Sequence, residues 1–268
     1  MKISFIGGGN MARAIIGGLK NNGFNTTAIS VIELDAVKRE QLAQEFNVNV
    51  TDNYADIVNT DVVLLAVKPQ QLKAVCSQLS ALLSTQLIIS IAAGVRSTDM
   101  SRWLNGYQAI VRVMPNTPAQ IQAGMSALYA MASVSQTQRD QATTILAAVG
   151  KTLWLADESK MDAVTAISGS GPAYVFYLIE ALQEAGVGLG LTDKEANMLA
   201  LQTFAGASLL ATQSIEDIKT LRAQVTSKGG TTEQGILTLE AAKIKDSILL
   251  AAKAAAEKSL SLGNELGK

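Results

Sequence analysis

The sequence has no histidine and a single cysteine, Cys76, in 268 residues. Without histidine there is no Ser-His-Asp triad, no Cys-His nucleophile pair, no His-ligated zinc and no imidazole acid or base. One cysteine forms neither an intrachain disulfide nor a Cys-rich metal site, and it fits a reducing compartment. Cys76 lies in the apolar-periodic run Leu72, Val75, Leu79, the setting of a buried structural thiol. Charge is sparse too. Charged residues make up 17% of the chain, and 22 Lys plus Arg nearly cancel 23 Asp plus Glu. A net charge of −1 with no basic cluster argues against nucleic acid or an anionic membrane as partner. No run of about 18 uninterrupted apolar residues occurs, so no membrane span is expected. The start, from Met1 to Ile6, lacks the apolar region and cleavage site of a secretory signal. A cytoplasmic protein without a metal is the expectation.

What the chain does have is apolar surface to bury, at 48% of residues, enough for one or two domains. Short apolar runs read as strands at 3–6, 28–32, 48–51, 61–67, 87–91, 109–113, 126–130 and 153–155. Helical spacing fills 11–22, 36–46 and 70–83. Strands alternating with helices indicate a parallel α/β sheet, and continuous Val/Ile/Leu runs fit strands covered on both faces. Beyond Asp157 no convincing strand is found. Helical runs there cover 160–166, 173–187, 192–212, 215–224 and 231–262. The expected organisation is an α/β domain over residues 1–157 and an all-helical domain over 158–268. The alanines of the last run, 241–262, permit close helix packing, including packing between subunits.

Several stretches can carry chemistry. Gly7-Gly8-Gly9-Asn10-Met11-Ala12 follows a strand and opens a helix, the context of a dinucleotide fingerprint. The first Gly permits the tight turn, the second lets backbone approach a pyrophosphate, and the helix N-terminus offers free N–H groups. Glu33 ends the second strand, where an acid commonly bonds the adenosine ribose diol and disfavours a 2′-phosphate. It leans toward NAD, but Lys38 and Arg39 follow, so NAD and NADP both stay open. Ala66-Val67-Lys68-Pro69 and Ala92-Ala93-Gly94 lie at strand carboxyl ends, where open α/β sheets bind ligands. Lys68 reads as a proton donor, a ribose ligand or a solvated charge. The rigid Met114-Pro115-Asn116-Thr117-Pro118 turn offers Asn116 and Thr117 as hydrogen-bonding groups. In Ser168-Gly169-Ser170-Gly171-Pro172-Ala173-Tyr174, Gly and Pro interrupt a helical stretch, as at a bent junction or a close backbone approach. In Thr226-Ser227-Lys228-Gly229-Gly230-Thr231-Thr232, a Gly-Gly turn enters a helix. Thr231 and Gln234 have capping-box spacing, and the turn reads as a small carboxylate site or as an ordinary helix start.

Taken in order, these motifs resemble the pyrroline-5-carboxylate reductase family over nearly the whole chain. The most specific stretch is Val225 to Gly235. The resemblance implies an α/β Rossmann-like N-terminal domain, residues 1–157, plus an all-α C-terminal dimerisation and substrate domain, residues 158–268. It implies a homodimer, with dimers assembling into decamers. It implies reduction of (S)-1-pyrroline-5-carboxylate to L-proline with NADPH or NADH. The implied cofactor contacts are Gly7, Gly8, Gly9, Asn10, Met11, Glu33, Asn53, Ala66, Val67, Lys68, Pro69, Ala92, Ala93 and Gly94. The implied substrate contacts are Glu158, Ser227, Gly229, Gly230, Thr231 and Thr232, with Thr232 as the catalytic residue. The chain departs from the family at Lys228, often Pro, and at Glu33, often a small polar residue.

In the implied chemistry the imine carbon takes a hydride and the ring nitrogen holds a proton. A threonine hydroxyl is a weak acid, so Thr232 serves better to position or relay a proton than to ionise. Alignment of the reactants supplies most of the rate gain, roughly 7–11 kcal/mol. Two rival readings are a β-hydroxyacid dehydrogenase using Lys160 and a non-catalytic dinucleotide sensor. Neither accounts for the Gly-Gly-Thr-Thr turn.

Overall fold

The computed structural model describes residues 1–268. The chain forms two compact units, Met1–Ser170 with Ala254–Lys268, and Gly171–Lys253.

The first unit is built on an 8-stranded sheet in the order β3-β2-β1-β4-β5-β6-β7-β8. The strands are β1 (Ile3–Ile6), β2 (Ile29–Ile32), β3 (Asn49–Thr51), β4 (Val62–Leu65), β5 (Leu87–Ser90), β6 (Ile110–Met114), β7 (Gly124–Ala130) and β8 (Gly150–Trp154). Its helices begin with α1 (Asn10–Asn21), α2 (Ala36–Phe46), α3 (Pro69–Leu79), α4 (Ser97–Trp103) and α5 (Gln136–Ala147). Adjacent strand residues point to opposite faces, and both faces are covered. Val62 and Leu64 join one apolar cluster with Ile15, Leu42 and Ile145. Val63 and Leu65 join the other with Leu72, Val75 and Met100. This two-sided burial is why β4 reads as an unbroken apolar run. Cys76 is buried in the second cluster.

The sheet is not wholly parallel: β6 and β7 pair antiparallel. The link between them holds only the short turn Thr117–Ile121. That is too short for a crossover helix, so the chain turns back on itself. Two helices escape the periodicity reading. α4 has seven residues and no side-chain cap. α5 carries a complete capping box between Ser135 and Gln138.

After β8 come the short helix α6 (Met161–Val164) and a π-helical turn over Thr165–Gly169. The bend arises where the Ser170 N–H reaches back to the Thr165 carbonyl at 2.8 Å. A Cβ on Gly169 would meet only the tip of the flexible Met114 side chain, which can move aside, so packing alone does not demand glycine here.

The second unit holds α7 (Gly171–Gly188), α8 (Asp193–Gln213), α9 (Ile218–Gln224), α10 (Thr231–Ala241) and the start of α11 (Ile244–Leu266). The single run read over 231–262 is broken at Ala242-Lys243, where Lys243 takes φ 54°. α8 starts from a capping box between Thr192 and Glu195, and α9 from Asp217 accepting the Thr220 N–H. Few residues here are buried, Ala196 and Ala200 among them. Phe176 is 65% exposed, Tyr177 70% and Leu210 58%. Apolar side chains this open form a surface that requires covering. No helix is long and apolar enough to cross a membrane.

Candidate active site

The loops after β1, β4 and β5 share one edge of the sheet, because these strands pair in parallel with Ile6 beside Leu65 and Leu65 beside Ser90. Between β1 and β4 the strand order reverses, the switch point at which such sheets bind ligands. Gly7 has φ +95°, and a Cβ there would lie 2.9 Å from the Ala66 carbonyl oxygen. Gly9 is the N-cap of α1 and supplies no side-chain cap. The first-turn N–H groups of Asn10, Met11 and Ala12 therefore lack intrahelical acceptors. A tight glycine turn leading to an uncapped helix N-terminus fits the pyrophosphate of a dinucleotide. Lys68 is the N-cap of α3 with Pro69 at its first position, and the Lys68 side chain is exposed. Ala92 is buried, Ala93 exposed, and Gly94 makes the turn at φ +81°.

Glu33 follows β2, the strand beside β1. Its Oε2 accepts the Gly8 N–H at 2.9 Å and its Oε1 accepts the Asp35 N–H at 3.1 Å. Burial, and then the charge of Glu33, push the Tyr54 hydroxyl above its ordinary pKa. Asn53 follows β3; its side chain caps a short turn by accepting the Ala55 N–H at 3.0 Å. The cofactor set expected from the sequence thus lies at the ends of adjacent strands.

The substrate set is divided between the units. Glu158 belongs to the first unit and Ser227 to Thr232 to the second. Glu158 is partly buried and fully engaged. Its Oε1 accepts the Ser97 N–H at 2.7 Å and the Arg112 guanidinium at 3.0 Å, and its Oε2 accepts the Ser97 hydroxyl at 2.6 Å. Asn116 is likewise structural. Its Oδ1 accepts the Met125 N–H at 2.8 Å, and its Nδ2 donates to the Ser168 hydroxyl at 3.3 Å.

In the second unit, Gly230 is the N-cap of α10 and gives no side-chain cap. Thr231 is thus the first helical residue, and the Thr231–Gln234 capping box expected from spacing does not form. The residue that reaches back is Glu233, whose Oε2 accepts the Gly229 N–H at 2.7 Å. The Gly230 N–H bonds the Ser227 carbonyl at 3.0 Å. Open donors remain on the first turn, at Thr231, Thr232 and Glu233. Thr231, Thr232, Ser227 and Lys228 are exposed in this unit.

The sequence reading gave no role to Arg112, Ser97 or Glu233. Glu233 had a local signal, an acid four residues after Gly229. The partners of Glu158 are 46 and 61 positions away and had none. No cluster of His, Cys, Asp or Glu suited to a metal is found.

A doubly covered sheet with a glycine-rich switch-point loop, followed by a helical unit, is the architecture of a dinucleotide-binding protein. Residues 2–94 match the family described as NADP oxidoreductase, coenzyme F420-dependent. Residues 158–262 match the one described as pyrroline-5-carboxylate reductase dimerisation. A pyrroline-5-carboxylate reductase of Pseudomonas aeruginosa is 45% identical over 100% of this chain and 98% of its own. The solved Coxiella burnetii enzyme of that name superposes with a TM-score of 0.94 at 41% identity, covering 97% of this chain and 98% of that one. A Plasmodium falciparum pyrroline carboxylate reductase, solved with NADP bound, superposes at 0.86 and 30% identity, covering 98% of each. The chain belongs to the pyrroline-5-carboxylate reductase family. It is an NAD(P)H-dependent oxidoreductase with a Rossmann-like domain, and its match to a dimerisation family makes it a homo-oligomer.

Proposed function

We propose that this chain reduces the cyclic imine of (S)-1-pyrroline-5-carboxylate to L-proline, the last step of proline biosynthesis, in the cytoplasm. The observation that carries this reading is full-length kinship, at 45% identity, to a reductase of that name. Bound NADPH or NADH supplies the hydride that the imine carbon takes up. The chain's own residues bind and orient. The Gly7–Gly9 turn and the α1 N-terminus hold the pyrophosphate, with Asn10 and Met11 on the first turn. Ala66 to Pro69 and Ala92 to Gly94 line the edge beyond it, and Glu33 and Asn53 serve the adenosine end.

The first turn of α10 receives the substrate carboxylate on the Thr231 and Thr232 N–H groups, with Ser227 beside it. Gly229, whose N–H is taken by Glu233, and Gly230 shape the turn that presents them. The Thr232 hydroxyl positions or relays the proton that the ring nitrogen carries when the amine forms. Glu158 contributes by holding Arg112 and Ser97 in place. The assembly is a homodimer through the helical unit, and dimers associate into a decamer.

The test follows reduced-cofactor absorbance with pyrroline-5-carboxylate, using NADH and NADPH in parallel. Consumption that falls strongly in Thr232→Ala, at unchanged cofactor affinity, supports the reading. No consumption with either cofactor, despite cofactor binding, overturns it in favour of another imine, a hydroxyacid or a sensor.

A further inference from the structure

The turn after β2 brings Glu33 and Arg39 together. The Glu33 carboxylate is pinned at both oxygens, by the Gly8 N–H at 2.9 Å and the Asp35 N–H at 3.1 Å. It lies against the glycine-rich loop. Arg39 is the guanidinium on this turn, and it points inward. Its Nη1 donates to the carbonyls of Glu33 at 2.7 Å and Leu34 at 3.0 Å. Its Nη2 lies 3.2 Å from the Asp52 carboxylate. Lys38 has the Asp35 carboxylate within 3.9 Å. Arg39 is therefore engaged on both sides, Lys38 stays about half exposed, and Glu33 has no cationic partner.

We infer that this reductase is an NADH enzyme, in which Glu33 rejects a ribose 2′-phosphate and Arg39 holds the Glu33 turn rather than receiving phosphate. The chemistry is simple. A carboxylate accepts hydrogen bonds from the 2′- and 3′-hydroxyls of NADH. The same carboxylate meets the 2′-phosphate of NADPH as like charge at short range, where effective screening is weaker than in water. A cation that received the phosphate of NADPH would have to outweigh this carboxylate: Arg39 is engaged by the turn's own carbonyls and by Asp52, and Lys38, about half exposed, lies 3.9 Å from Asp35. The inference rests on the dinucleotide part of the proposed function and not on the identity of the imine. It sets this chain apart from the Plasmodium falciparum relative, which was solved with NADP.

The test measures dissociation constants for NADH and NADPH by nicotinamide fluorescence, on the full-length protein without imine. Steady-state kcat/KM with each cofactor follows. The wild-type protein is expected to favour NADH by about tenfold or more. Glu33→Gln keeps an acceptor for the Gly8 N–H and removes the charge, and Glu33→Ser opens the pocket. Both are expected to move the affinity ratio toward NADPH by about tenfold. Arg39→Ala is expected to weaken both cofactors alike, because it loosens the turn they share. Equal or tighter binding of NADPH by the wild type overturns the inference. So does a ratio that Glu33→Gln leaves unmoved, or a loss confined to NADPH in Arg39→Ala. Because binding is read without substrate, a failure of the imine assignment leaves this outcome legible.

Discussion

Arg112 and Glu158 form an ion pair at 3.0 Å whose side chains are only 6% and 17% exposed. It ties β6 to the segment following β8, and through Ser97 to the first residue of α4. Removing one partner of a buried pair leaves the other charge uncompensated, so Glu158→Ala is expected to destabilise the fold by about 3–5 kcal/mol. Glu158→Gln, which keeps an acceptor for Ser97, should lose less. Urea denaturation of both variants checks this. A stable Glu158→Ala with a raised substrate KM would instead make Glu158 a substrate ligand.

Burial pushes the Cys76 thiol from 9.0 up to about 12. The folded state thus holds its proton where the unfolded chain gives it up. This contribution to stability is complete below about pH 9 and fades as pH rises toward 12. Cys76→Ala, lacking the thiol, should therefore lose less stability than wild type between about pH 8 and pH 11. Denaturation midpoints across that window measure it. Parallel curves for the two proteins would contradict the assignment.

Glu233 places a negative charge on the α10 turn, with its carboxylate 2.7 Å from the Gly229 nitrogen. Charge near a helix N-terminus is worth about 0.3–1 kcal/mol at the surface. Glu233→Gln retains an acceptor for Gly229 and removes repulsion toward an incoming carboxylate. Its KM for pyrroline-5-carboxylate should fall up to about fivefold while cofactor affinity holds. A raised KM would mean that the carboxylate orders the turn for binding.

Phe176 on α7 is 65% exposed within its unit. A charge introduced into an apolar contact surface is poorly tolerated there. Phe176→Asp is expected to shift the protein toward smaller species in analytical ultracentrifugation, with a lower Tm. An unchanged sedimentation profile would place the subunit contact on other residues.

Strands such as β4 and β5 were legible because both their faces are buried, which leaves a continuous apolar run in the sequence. The glycine-rich turn was legible because Gly7 needs a positive φ and carries its own signal. α4 was missed because seven residues span barely two helical turns and it has no side-chain cap. The break before α11 was invisible because Lys243 takes a left-handed conformation without being Gly or Asn. At the site, the Glu158 contacts join distant parts of the chain, so no local pattern announces them. At α10, residue spacing allowed Thr231 as a cap, but Gly230 takes that position and leaves the turn to Glu233.

The end of α11 rejoins the first unit through a 2.6 Å bond from Ser259 to Asp162 and another from Arg96 to Asn264. Lys73 also donates to the Lys268 carbonyl at 2.7 Å. The helical unit is thus, topologically, an insertion into the sheet-bearing unit. During synthesis the nucleotide-binding sheet emerges first, yet its last packing partners, residues 254–268, follow only after every helix of the insertion has been made. Completion of the sheet-bearing unit therefore depends on contacts between residues far apart in the sequence, such as Arg96 and Asn264.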